Sequence, residues 1–250
     1  MARRLGRPLI CVVLAACLAC VLPAYDVSPD VKPLVALFEA RYRAAHTLQA
    51  TFLERYTENG HVIRVEAGTA YFRRPGKMRW EYEAPEKNLF LVDGKTAWFY
   101  VPADHTATRV PAKMSADWRT PMALLAGEMK VSRVCGRVQL ASQEKAESPG
   151  NVVLYCEVRG EGTKSQKSDS PDTYAQTGEA AEAVFFEIVK KTGDLVRVLV
   201  RDSGGVGIEF QFSNWKTDPR VNDALFRFSV PPGVAIVNGE LPAGRNGVNP

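Results

Sequence analysis

The 250-residue chain has only three histidines, and His46, His61 and His105 lie far apart. Their spacing matches none of the known metal-binding motifs, whose ligands recur within a few residues. The sequence also contains no phosphate-binding loop and no Gly-x-Ser-x-Gly motif. We therefore expect no catalytic residue, no metal ion and no cofactor, and a function other than catalysis.

Excess charge is also scarce once the N-terminus is set aside. Residues 1–24 carry three arginines and no acidic residue, so 32 − 3 = 29 basic residues would face 28 acidic ones without them. This balance provides no basic stripe of the kind that binds nucleic acids or anionic membranes. We expect no nucleic-acid partner.

Long apolar runs are confined to the N-terminus. Three arginines at positions 3, 4 and 7 precede an apolar run over residues 9–22, which ends at Pro23 and Ala24. This order is typical of an export signal, and the run is shorter than the roughly 20 residues of a membrane span. We predict a signal peptide at residues 1–24 and a periplasmic protein.

The processing site has an alternative. Residues 14–17 (LAAC) also fit a lipobox, in which Cys17 would be acylated and would anchor the chain to a membrane. The apolar core before Cys17 is short, at residues 9–16, which favours cleavage near Ala24 without acylation. An anchored chain would suit a lipid-binding acceptor or sensor, whereas a cleaved one would suit a shuttle.

Two cysteines remain after residue 24, Cys135 and Cys156. An even number in an exported protein favours a disulfide. Both lie in segments of alternating apolar residues, 131–140 and 152–158, which could pair as a hairpin. The alternative is two unpaired, buried thiols.

Two helices are expected. Apolar residues recur at helical spacing from Val31 to Tyr42. A second, short helix is expected at 120–127, where Thr120 can cap the start and Gly127 suits the end. This segment is apolar nearly all round, so it must bury much of its surface.

Elsewhere the apolar residues alternate with period two, which predicts strands. Between Arg159 and Glu182 the sequence is polar, and we interpret 160–182 as a loop inserted in one domain (25–241) that precedes a flexible tail (242–250). The strands are expected at 48–56, 62–67, 69–73, 77–83, 89–92, 96–101, 107–110, 131–140, 152–158, 183–189, 195–202, 208–215, 226–230 and 234–237. This order suits a mainly β, single-domain barrel or curved antiparallel sheet with helices over its opening.

The segment from Lys77 to Glu83 indicates what such a sheet could hold. Met78, Trp80 and Tyr82 point to one face, and charged residues alternate with them. These side chains could be the core of a closed sandwich. The short apolar helix at 120–127 favours the other interpretation, an apolar cavity beneath a lid.

Four motifs carry a family resemblance. They are Gly68-x-x-x-Phe72-x-Arg74-Pro75-x-x-Met78-x-Trp80, residues 92–100 (VDGKTAWFY), residues 120–125 (TPMALL) and residues 226–234, which run from Phe226 to Val234. In this order they resemble the periplasmic lipoprotein carrier (LolA) family. The likeness runs from about residue 31 to residue 237.

This resemblance implies an incomplete, strongly curved antiparallel β-barrel with helices that form a lid over an apolar cavity. It implies a monomeric chaperone that receives acylated lipoproteins from an inner-membrane lipoprotein-releasing transporter and delivers them to an outer-membrane acceptor. The family's key arginine falls on Arg74, which would hydrogen-bond the backbone of the lid helix, whereas Arg73 lies on the opposite strand face. The implied cavity-lining residues include Met78, Trp80, Phe90, Trp98, Leu124 and Leu125.

Overall fold

The computed structural model describes residues 26–28, 30–112, 122–127, 129–158, 183–201 and 204–239. The expected signal peptide, Cys17, Thr120, the loop at 160–182 and the tail at 242–250 lie outside the described residues. No helix in the described ranges is long and apolar enough to cross a membrane.

Two α-helices and thirteen strands make up the described fold. Helix α1 spans Lys32–Arg43, and α2 spans Ala123–Ala126. Short 3-10 turns lie at Val131–Arg133 and Asp223–Phe226. The strands are β1 Asp26–Val27, β2 Thr47–Glu58, β3 His61–Arg73, β4 Lys77–Ala84, β5 Leu89–Val92, β6 Thr96–Val101, β7 Thr106–Pro111, β8 Cys135–Leu140, β9 Asn151–Val158, β10 Ala183–Val189, β11 Leu195–Arg201, β12 Val206–Thr217 and β13 Ala235–Asn238.

All thirteen strands belong to one curled sheet, in the order β1-β8-β9-β10-β11-β12-β2-β3-β4-β5-β6-β7-β13. Strands β1 and β13 form its two edges, so the sheet does not close. The prediction of a mainly β, incomplete barrel is confirmed. The sheet is not antiparallel throughout, because β1 pairs with β8 and β13 pairs with β7 in parallel. Long connections lead from β1 to β8 and from β7 to β13, as parallel pairing requires.

The sheet has one buried and one polar face because its strands alternate. In β4, Met78, Trp80 and Tyr82 are buried and the residues between them are partly exposed. The same alternation runs through the buried residues of β2 and β3. The buried face lies on the inside of the curl and holds the main core. We call it the inner face, and the other the outer face.

Gly68 joins two expected strands into the single strand β3. A Cβ atom at this position would lie 1.9 Å from the carbonyl oxygen of Glu81 on β4, so only glycine allows the two backbones to approach. The apolar alternation predicts a strand boundary at this glycine. Its role in the structure is instead close packing within the sheet.

Two other expected strands also differ. The 131–140 segment begins with a 3-10 turn, and its strand starts at Cys135. Residues 226–230 form no strand, because the chain enters a 3-10 turn in which the Asn222 side chain accepts a hydrogen bond from the Ala224 amide at 2.9 Å.

A disulfide joins the two neighbouring strands β8 and β9. Cys135 and Cys156 are fully buried, and their sulfur atoms are 2.07 Å apart. Both side chains belong to the main core. The bond therefore links two adjacent strands near one end of the sheet.

Candidate functional site

The inner face is lined by aromatic rings that converge on Trp80, which has no exposed surface. Its ring centroid lies 4.9 Å from that of Phe52 and 5.6 Å from that of Phe72. On the far side of β2, Phe210 lies 5.1 Å away. Edge-to-face and tilted contacts of this kind leave a continuous apolar interior.

Five of the six expected lining residues join this interior. Met78, Trp80, Phe90, Leu124 and Leu125 are all buried in the main core. They come from β4, β5 and α2, so the fold brings together segments nearly fifty residues apart in the chain.

Trp98 does not belong to this set. Strand β6 turns Ala97 and Phe99 inward, whereas Trp98 lies on the outer face, 5.1 Å from the ring of Phe228. The inward residue that the sequence analysis missed is Phe99. Phe99 is paired with Phe90 on β5, and directly paired residues share a face. Because Phe90 was expected to face inward, this pairing could have identified Phe99.

Helix α1 closes one end of the interior. Phe38 and Tyr42 are fully buried, and their rings approach Phe186 and Trp215 at centroid distances of 5.8 and 5.1 Å. The Tyr42 hydroxyl accepts a hydrogen bond from the Leu195 amide at 2.8 Å. Burial raises the pKa of Tyr42 above its usual value, so this group stays a neutral hydroxyl.

Hydrogen bonds link α2 to the turn between β3 and β4, and link α1 to the chain just after α2. The Gly76 amide donates to the Ala126 carbonyl at the end of α2, at 2.8 Å. From α1, Glu39 accepts a hydrogen bond from the Val131 amide at 2.8 Å, just beyond α2. The helices and this turn therefore form one polar frame above the apolar interior, which we call the mouth.

The side chain of Arg74 binds α1, and not α2, the lid helix that the family resemblance implied. Its Nη2 donates to the Tyr42 carbonyl at 3.0 Å, and its Nη1 donates to the Arg43 carbonyl. The last carbonyls of a helix have no partner within the helix and carry partial negative charge, so a cation is stabilised there. The α2 contact of this turn comes from the Gly76 backbone.

Burial and a neighbouring carboxylate act on the Arg74 guanidinium in opposite directions. Burial lowers its pKa, and the nearby Asp218 carboxylate opposes that change. Asp218 accepts hydrogen bonds from the His46 and Thr47 amides at 2.7 and 3.0 Å, which hold the pKa of its carboxyl below the usual 3.8. Arg74 also keeps a buried Nε–H without a hydrogen-bond partner, which makes the closed arrangement less favourable.

Arg73 faces the opposite way. Its guanidinium pairs with Asp223, donates to the Val221 carbonyl at 3.2 Å and lies 5.0 Å from the centre of the Phe226 ring. These contacts attach the chain after β12 to the outer face. The two neighbouring arginines thus serve different sides of the sheet.

The described residues offer little for chemistry. Within the ranges that the structure covers, no group of three or more His, Cys, Asp or Glu side chains is placed to hold a metal ion.

Several known proteins are similar to this chain in sequence. Residues 43–148 match the family model described as outer membrane lipoprotein carrier protein LolA. An outer-membrane lipoprotein carrier protein of Chromobacterium violaceum is 31% identical over 235 residues, which cover 94% of this chain and 100% of the relative. One from Nitrosomonas europaea is 30% identical over 236 residues, covering 92% and 98%.

Among solved structures, an uncharacterized conserved protein from Thermus thermophilus aligns with a TM-score of 0.49 and 16% identity, over 84% of this chain and 99% of that one. That likeness is too distant to support an argument about function. The sequence relatives are sufficient, because their identity extends over nearly the whole length of both chains. The chain belongs to the outer-membrane lipoprotein carrier protein family.

Proposed function

We propose that this protein is a periplasmic, non-enzymatic carrier that holds the acyl chains of lipoproteins in its apolar interior. It takes them from an inner-membrane transporter to an outer-membrane acceptor. The observation that supports this proposal most is the row of aromatic side chains converging on Trp80 beneath two helices. Residues 1–24 would direct export, and residues 25–241 would form the carrier domain.

The energetics require a way to let cargo go. Each buried methylene contributes about 0.8 kcal/mol, so a fully enclosed sixteen-carbon chain would gain roughly 12 kcal/mol. A carrier that lost nothing on opening would release such cargo very slowly. A closed, empty state that competes with the loaded state reduces this gain and makes transfer to an acceptor feasible.

Arg74 is the residue that would stabilise the closed state. Its two hydrogen bonds to α1 carbonyls hold the end of the helix against the β3–β4 turn. Hydrogen bonds to charged groups contribute about 1.5–3 kcal/mol each, and partial exposure places these at the lower end. Cargo that displaces α1 would have to break both of them.

The test is Arg74→Leu, which removes both hydrogen bonds. The variant should stay open more readily and transfer a fluorescent dipalmitoyl lipopeptide to phospholipid vesicles more slowly, by roughly tenfold or more. The matched control is Arg73→Leu, the same change one residue earlier on the opposite face. Equal transfer rates for Arg74→Leu and the unmodified protein would sink the latch proposal.

A second candidate is supported by the possible lipobox at residues 14–17. If Cys17 is acylated, the protein is a membrane-anchored lipoprotein that binds lipid as an acceptor or sensor. Mass spectrometry of the native protein decides between the two. A mature N-terminus near Tyr25 supports the carrier, and a diacylated Cys17 supports the anchored form.

A further inference from the structure

The inner face is not apolar along its whole length. Farther from the mouth than Trp80, it carries four buried polar side chains. They are Glu54 on β2, Glu66 on β3, Tyr82 on β4 and Asn88 just before β5. Tyr82 is 3% exposed, Glu54 1%, and Glu66 and Asn88 8% each. We call these four residues the polar row. On β2, it begins six residues after Leu48, roughly 20 Å from the end that α1 covers.

Gly68 makes the row possible. It lies between Phe52 and Tyr82 in the sheet register and has no side chain to separate them. The Tyr82 ring therefore reaches across β3, to a centroid distance of 5.1 Å from Phe52. From there its hydroxyl donates to Oε2 of Glu54 at 2.6 Å.

The row consists mainly of hydrogen-bond acceptors. Glu54 and Glu66 are directly opposite each other on β2 and β3, which places their Cβ atoms about 5 Å apart. Arg64 forms an ion pair with Glu66 at 2.9 Å. Two carboxylates directly opposite each other repel, so this part of the inner face favours groups that donate hydrogen bonds or carry positive charge.

Asn88 adds an independent observation. The Tyr82 amide donates to the Asn88 carbonyl at 3.0 Å, which continues the β4–β5 ladder and directs the Asn88 side chain to the same face as Tyr82 and Phe90. Its Oδ1 atom is buried and accepts no hydrogen bond. A buried acceptor in this condition is costly and rare, and a ligand with an N–H group would satisfy it.

We propose that the polar row binds hydrogen-bond donors of the cargo, namely the N–H groups that follow its acylated cysteine. This inference rests on the proposed carrier function. The acyl chains would lie in the aromatic stretch beneath α1, and the peptide would leave the interior at the β2–β3 hairpin. Such an arrangement fixes the direction in which a lipoprotein lies in the carrier.

The donors have two chemical sources, backbone amides and lysine ammonium groups. Four probes separate them: a dipalmitoyl-glyceryl-cysteine carrying four serines, the same probe with its first two peptide amides N-methylated, a version carrying four lysines, and methyl palmitate. The last probe contains the apolar part and no N–H donor. Affinities are measured for the unmodified protein, Asn88→Leu and Glu54→Gln.

Asn88→Leu should weaken binding of the serine probe by about three- to tenfold and leave methyl palmitate unchanged. If backbone amides are the donors, the N-methylated probe should bind the unmodified protein about three- to tenfold more weakly than the serine probe. The same two probes should bind Asn88→Leu with nearly equal affinity. A selective loss of the lysine probe in Glu54→Gln would identify ammonium groups and would also support the inference. Asn238→Leu is the matched control, since its Oδ1 already accepts from Arg109 at 2.7 Å on the outer edge.

The inference is overturned if neither variant changes the affinity ratio between the lipopeptides and methyl palmitate. Methyl palmitate binding also reports that each variant is folded. If the unmodified protein binds neither methyl palmitate nor any lipopeptide, the carrier function itself fails. Failure of the polar row alone would leave methyl palmitate binding intact, so the two failures are distinguishable.

Discussion

Two arginines, Arg197 buried on the outer face and Arg74 partly buried at the mouth, hold this molecule together in contrasting ways. Arg197 on the outer face has carboxylates around it: its Nε lies 2.9 Å from Glu187, and its Nη1 lies 3.3 Å from Glu209 and 3.7 Å from Glu144. Burial acts to lower its pKa, but Glu187 and Glu209 outweigh that effect and raise it. Arg74 at the mouth binds only carbonyl groups, and burial lowers its pKa.

The two arginines differ in what their partners would lose if the contact broke. Glu187 has no exposed side-chain surface, so separating it from Arg197 would leave a bare charge in the protein. The carbonyls that Arg74 binds are uncharged, so the loss of this contact would leave no buried charge on the helix. The ion pairs of Arg197 on the outer face should therefore cost more to break than the hydrogen bonds of Arg74 at the mouth.

The largest effect is expected when the ion pairs of Arg197 on the outer face are removed. Arg197→Leu should lower the free energy of unfolding by about 3–5 kcal/mol, because Glu187 is left buried without its partner. Urea unfolding followed by circular dichroism measures this. Arg43→Ala is the control: it removes an exposed pair with Glu39 at 2.7 Å and should cost less than about 1 kcal/mol. Similar losses in the two variants would contradict the contrast.

A smaller effect is expected at α1, the helix that Arg74 binds. Tyr42→Phe keeps the ring and removes the hydroxyl that accepts from the Leu195 amide, at a cost of about 1–3 kcal/mol. Hydrogen exchange should accelerate at the Leu195 amide and in α1, and much less in β10 and β11. Uniform acceleration over the sheet would mean that α1 does not open separately.

The smallest effect concerns acid. The pKa of Asp218 is held below 3.8 by the His46 and Thr47 amides, so its contribution is present above pH 3.8 and disappears as the pH falls through the lower, folded value. Asp218→Asn should therefore flatten the decline of the melting temperature as the pH falls below about 4. An unchanged slope would show that this carboxylate does not support the junction of α1 and β2.

The strand pattern predicted much of the inner face. In β4 the apolar residues are separated by charged ones, so alternation alone directed Met78, Trp80 and Tyr82 inward. It failed in β6, where Trp98 and Phe99 are adjacent aromatics. An alternation of period two allows either of them to face the core. The pairing of Phe99 on β6 with Phe90 on β5 places Phe99 on the inner face.

The contacts at the mouth were harder to predict than the residues of the inner face. The motif around Arg74 indicated a latch, but a motif does not say which helix end a side chain will reach. The helix end is α1 because the chain after Arg43 enters β2 directly beside the β3–β4 turn, where the Arg74 amide donates to the His46 carbonyl at 3.0 Å. The sequence analysis also missed Tyr42 and Asp218 as parts of this frame, since their partners are more than 150 residues away.

The sequence by itself determined the fold class, the family and the faces of strands whose polar and apolar residues alternate clearly, because these follow from local periodicity and motif order. Tertiary structure alone decided which carbonyls Arg74 binds, on which face Trp98 lies and that Glu54, Glu66 and Asn88 are buried together. These depend on the curl of the sheet and on strand register. The curl and the register bring residues that are distant in sequence into contact, and no local sequence pattern predicts either of them.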